Sequence, residues 1–176
     1  MIKPSFELKG VKEALEQFDS KKVKAAIRST LDRSATQGKQ EIVKAVSDNY
    51  NIKPKDVRDV TEVQRTTQTA LETKIRIARK KLSLAYFRAR QTATGVVAHV
   101  RKSGASVYPS AFIIRKFGGK VFRRKTEKRF PIKHMAGPAV TEIVKLDNIM
   151  DKVQKRINES MQKLFPEEIK KRVFKR

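Results

Sequence analysis

The chain has 176 residues, of which 42 are Lys or Arg and 18 are Asp or Glu, for a formal net charge of +24. Hydrophobic residues make up 39%, enough for an ordinary core in a single domain spanning residues 1–176. With no cysteine, a disulfide scaffold, a thiolate metal site and a cysteine nucleophile are excluded, and with no Trp and 7% aromatic residues a base-stacking single-strand binder is disfavoured.

In chain order, residues 8–18 carry a short helical pattern through Ala14, Leu15 and Phe18. Asp19 or Ser20 can cap a long helix over residues 20–50, whose apolar positions Val23, Ile27, Leu31, Ala35, Ile42, Val46 and Tyr50 form one buried stripe, with Gly38 filling the gap. Ile52, Lys53 and Pro54 read as a turn, with Pro54 at the first position of a short helix.

The apolar period then changes to two. Residues 60–65 and 71–77 alternate as half-buried strands do, 82–87 reads as a further strand, and 95–100 as a stronger one. Residues 111–116 and 120–124 are strands joined near Gly118 and Gly119, a hairpin signal. Phe130, Pro131 and Ile132 close the sheet region, and the proline favours an edge.

The period returns to 3.6 after Pro138. Leu146, Ile149, Val153, Ile157, Met161 and Leu164 share a stripe, which predicts a second long helix, and Pro166 is expected to open a final short one. Helices, then strands, then helices predict an α+β fold: an antiparallel sheet with a β-hairpin, flanked by two long amphipathic helices. The expected parts are the helix over 20–50, a basic sheet region over 60–133 and C-terminal helices over 138–174.

Charge is concentrated in the sheet region. Residues 74–133 hold 18 basic residues and one acid, Glu127; the rest of the chain has 24 basic and 17 acidic residues. Mixed charge on the flanks is an ordinary solvated surface. A 60-residue stretch with one carboxylate lacks that internal compensation, so the block reads as a surface for a polyanion or an acidic partner. The hairpin and its exit supply Arg115, Lys116, Lys120, Arg123, Arg124, Lys125, Lys128, Arg129 and Lys133. The Arg123–Arg124 pair suits forked contacts to phosphate or carboxylate. Duplex DNA, RNA and an acidic protein all fit that composition.

Catalytic chemistry is not legible. His99 and His134 fall in different predicted elements without metal-ligand spacing, and no phosphate-binding loop occurs, since Gly118-Gly119-Lys120 lacks the upstream glycine and the following Ser/Thr. No enzyme, metal or other cofactor is expected. Neither a signal peptide nor an apolar run of membrane-spanning length is visible: Met1 to Glu7 is mixed and runs such as Ala111 to Ile114 are short. The expected setting is a cytoplasm, with no membrane partner.

Tyr108-Pro109-Ser110-Ala111-Phe112-Ile113, then Gly119, Val121, Arg123-Arg124, Arg129-Phe130-Pro131-Ile132 and Pro138, resemble the prophage minor tail protein Z family. The positions carrying the motif are Pro109, Ala111, Phe112, Ile113, Gly119, Pro131, Ile132 and Pro138. Ile52 to Val57 and Lys74 to Arg79 extend the likeness upstream, over roughly residues 20 to 170. The resemblance implies a structural virion protein of long-tailed bacteriophages that acts in tail completion and head–tail joining at the head-proximal end. Such a protein would be assembled in the bacterial host cytoplasm and would work as a homo-oligomeric ring, sixfold like the tail, against other tail or neck proteins. The basic face would line the DNA path or grip acidic neighbours. From composition alone the alternative is a cytoplasmic, non-sequence-specific nucleic-acid-binding protein.

Overall fold

The computed structural model describes residues 20–67 and 69–174. The short helix expected before Asp19 lies outside them. The chain divides into two compact units: a helical unit (20–42, 61–76 and 148 onward) and a sheet unit (43–60 and 77–147). The α+β class is as the period changes predict, with antiparallel hairpins and two long helices.

Helix α1, Ser20–Asn49, runs unbroken for 30 residues. In the helical unit its stripe delivers Val23 and Ile27, which cluster with Phe165 and are joined by Leu31, Ile169 and Val173. Gly38 permits a close approach: a Cβ there would lie 2.7 Å from Ile157 Cδ1 and 3.0 Å from Ile75 Cδ1. Helix α4, Ile149–Ile169, buries Val153, Ile157, Met161 and Leu164 as the stripe predicts.

Pro166 does not open a new helix; it lies inside α4. A proline there removes one backbone hydrogen bond and normally breaks the helix. Its neighbours hold the geometry: Phe165 and Glu168 are both buried, and the Glu168 carboxylate accepts from Arg33 Nη1 at 2.7 Å and Arg172 Nε at 3.0 Å. A wider π-type turn, Lys170–Phe174, follows. The second stripe also misled at its start. Asn148 adopts a left-handed conformation (φ 49°), which Asn tolerates better than most residues. It separates α4 from α3, Val140–Leu146, and leaves Leu146 70% exposed. Strands β1 (Thr61–Gln64) and β2 (Lys74–Ile77) pair with each other. The loop between them is pinned by Asp32, which accepts from Thr66 N at 2.9 Å, Thr66 Oγ1 at 3.2 Å and Thr73 Oγ1 at 2.9 Å.

In the sheet unit the expected single sheet is three small ones. β3 (Lys81–Ser83) pairs antiparallel with β10 (Ala136–Ala139). β4 (Arg90–Gln91), β5 (Gly95–Ala98) and β6 (Ser106–Pro109) form a second sheet, and β7 (Ala111–Ile114), β8 (Lys120–Arg124) and β9 (Ile132–His134) a third. The strand expected over 82–87 stops at Ser83, and Leu84–Phe87 is a 3-10 turn that buries Leu84 and Phe87. The expected hairpin strand stops at Ile114, because Arg115–Phe117 is a 3-10 turn. Gly118 and Gly119 complete it at φ 68° and 70°, values that favour glycine. β9 follows Pro131 at a sheet edge, as the proline predicts.

Short helix α2, Pro54–Asp59, starts at its proline and buries Val57. Tyr50, 2% exposed, lies under the Arg101 guanidinium at 5.2 Å from the ring centroid, and Arg101 Nη2 meets Asp147 Oδ1 at 2.7 Å. Asn51 Nδ2 donates to His99 O and Arg101 O at 3.0 and 3.3 Å. Burial, chiefly, and then the neighbouring Asp147 raise the Tyr50 pKa above its usual 10.0.

Candidate polyanion and partner surface

The β7–β8–β9 sheet is built by local rules. Alternating residues place Ala111 and Val121 on one face, where both are buried, and Phe112 and Phe122 on the other. Register fixes the neighbours: Ala111 faces Arg123, Phe112 faces Phe122, Ile113 faces Val121 and Ile114 faces Lys120. Across β8 and β9, Phe122 faces His134, Arg123 faces Lys133 and Arg124 faces Ile132.

All nine cations named from the sequence are exposed. Among the described residues none of them makes an ion pair within 4.0 Å; the cations that do are Arg33, Lys74, Arg101 and Arg172. They do not form one patch. Arg115, Lys116 and Lys120 gather at the β7–β8 turn. Lys125, Lys128 and Arg129 occupy the β8–β9 connection, closed by Lys125 N donating to Pro131 O at 3.0 Å. The length of β8 separates these ends by roughly 15 Å.

Arg123 and Lys133 are brought together as direct cross-strand partners. Like charges so placed repel and are relieved by a bound anion. Arg124 lies on the opposite face, its guanidinium 5.6 Å from the Phe112 ring centroid.

Sequence reasoning missed what lies between the cations. On the outward face Phe122 is the hub of an aromatic cluster: Phe112 at 6.5 Å, Phe117 at 6.0 Å and His134 edge-on at 5.5 Å. His134 Nε2 lies 3.1 Å from Ser83 Oγ. The available signal was that 112 and 114 are as apolar as 111 and 113, so both faces of β7 are apolar. The pairing of Phe122 with His134 needed the β8–β9 register.

The motif positions fall on this sheet and on the strands of the two other small sheets of the unit. Pro109 ends β6 opposite Gly95, Ala111, Phe112 and Ile113 lie in β7, Gly119 is in the turn, Pro131 and Ile132 enter β9, and Pro138 is in β10. Among the described residues, no group of three or more His, Cys, Asp or Glu side chains is placed to hold a metal ion. No helix among them is long and apolar enough to cross a membrane.

The family model described as prophage minor tail protein Z matches residues 8–176, nearly the whole chain. Comparison with curated proteins and with solved structures gives no match.

Proposed function

The chain belongs to the prophage minor tail protein Z family, and from that premise we propose that it completes the tail at its head-proximal end, where head and tail join. A member of this family is a phage minor tail protein with a structural role in the virion. In the proposed role it assembles as a ring of its own copies, sixfold like the tail, against other tail or neck proteins, and performs no catalysis. The basic ends of the β7–β8–β9 sheet face the phosphate backbone of the DNA path.

One observation carries the DNA contact. Nine cations on the β7–β8–β9 strands and the turns that join them are exposed, and none is neutralised by an ion pair among the described residues. Such charge attracts a polyanion without reading its sequence. About six phosphate contacts give a log–log salt slope near −5 for duplex DNA. Replacing Arg123, Arg124, Lys128 and Arg129 together with glutamine flattens that slope by roughly three to four units. Tails carrying this variant keep normal length and lose infectivity. An unchanged slope with wild-type infectivity would leave the charge with a solubilising role only.

A further inference from the structure

An antiparallel sheet packed on a core through one face normally turns a polar face to water. Here the outward face carries Phe112, Ile114, Phe122 and Ile132, all half-buried, and Phe117 at the turn is 55% exposed. Cations stand around this apolar centre: Lys116 and Lys120 at one end and Arg124 at the other. An apolar centre with a charged rim is the anatomy of a protein–protein interface.

We propose that this face docks a protein partner whose contact surface is apolar at its centre and acidic at its rim. Charge selects the acidic rim, because residues 111–135 hold nine cations and one carboxylate, Glu127. A second copy of the chain, itself at +24, opposes self-pairing through this face. Nucleic acid fits the centre poorly. Base stacking requires free ring faces, whereas the Phe122 ring is engaged by Phe112, Phe117 and His134, and Arg124 covers Phe112. Ile114 and Ile132 offer nothing to a phosphate.

Docking of this kind rests on the tail-protein reading above, not on a DNA contact. The test uses the full-length chain and tails assembled by a phage lacking this gene. With benzoylphenylalanine in place of Phe117, irradiation of the docked complex joins the chain to a tail protein of net negative charge. A cross-link to a second copy, a nuclease-sensitive adduct, or no cross-link from a chain that still docks would overturn the proposal.

Phe112→Thr with Phe117→Ser lowers retention on those tails about tenfold or more, since buried aromatic anchors dominate interface energetics. Phe117→Ser alone, at an exposed turn position, gives a smaller loss in the same direction and guards against misfolding of the double variant. Wild-type retention by both overturns the proposal. A glutamine variant at Arg123, Lys128 and Arg129, which leaves the Arg124 rim of the docking face in place, separates the two readings. If its DNA slope is unchanged while the aromatic variants fail to dock, the DNA contact falls and the docking face stands; the reverse pattern removes the docking face alone.

Discussion

The helical unit and the sheet unit handle charge in opposite ways. In the helical unit a carboxylate is buried and shared: Glu168, with 4% of its side chain exposed, binds Arg33 and Arg172. Asp32 satisfies a backbone N–H and two hydroxyls of the β1–β2 loop. In the sheet unit Arg101 meets Asp147, yet none of the nine cations of the β7–β8–β9 region has an ion pair among the described residues. Charge that is paired inside the fold contributes to stability, while charge left unpaired on a surface is available to something outside it. Deleting charge is therefore expected to cost stability in the first unit and binding in the second.

The largest expected effect is at Glu168. Burial, the strongest single influence, pushes its pKa up, but hydrogen bonds from Arg172, Ser29 and Arg33 together outweigh it, and the net shift is below the usual 4.5. A depressed carboxylate pKa means stability that is present above the unfolded value and lost as pH falls through the folded one. Glu168→Ala is expected to cost about 2 kcal/mol near neutral pH, toward the low side because both arginines are half-exposed and regain water. Thermal melts should show the gap between wild type and variant narrowing as pH drops below 4.5. A gap that is constant down to strongly acidic pH would break the assignment.

Asp32→Ala comes next, at about 1.5 kcal/mol, because it strands the amide of buried Thr66. Amide exchange at Thr66 should accelerate while exchange in the sheet unit stays unchanged. Arg124→Gln is smaller. It removes a cation–π contact on Phe112 that is worth about 0.5–1 kcal/mol at an exposed site, and a thermal melt with matched Phe112→Leu controls would isolate it.

The smallest effect sharpens the contrast most. The glutamine variant at Arg123, Arg124, Lys128 and Arg129 discards four charges, yet beyond the Arg124 contact it is expected to move stability by less than about 0.5 kcal/mol. Relief of the Arg123–Lys133 repulsion works in its favour. A loss of several kcal/mol would mean that these cations are structural, erasing the distinction between the units.

Several elements were legible because their cause is local. The α1 stripe is a 3.6-residue period carried by its own residues, and Val23, Ile27, Ala35, Ile42 and Val46 are all buried, as is Tyr50 just past the helix end. The β7–β8 hairpin follows from two apolar runs and a Gly-Gly turn. Pro54 starts α2 because its missing N–H costs nothing there. The exposure of all nine candidate cations was also readable, since long charged side chains stay in water unless paired.

The misreadings have a common source. Strands β6 and β10 contain Pro109, Gly137 and Pro138, which weaken any local strand signal; they form because β5 and β3 offer partners across the sheet. Leu146 fits the apolar stripe, but one left-handed residue, Asn148, ends the helix before that stripe can continue. Pro166 looks like a helix start and is carried inside α4 by the burial of Phe165 and Glu168 on either side. By itself, then, the sequence determined the class of fold, the long helix, the hairpin, the sign and place of the charge and the family, because each is written in neighbouring residues. Only tertiary structure decided how the nine cations divide between two sheet ends and two faces, and that Phe122 gathers Phe112, Phe117 and His134. Strand register and turn geometry join residues far apart in the chain, and no local period encodes that choice.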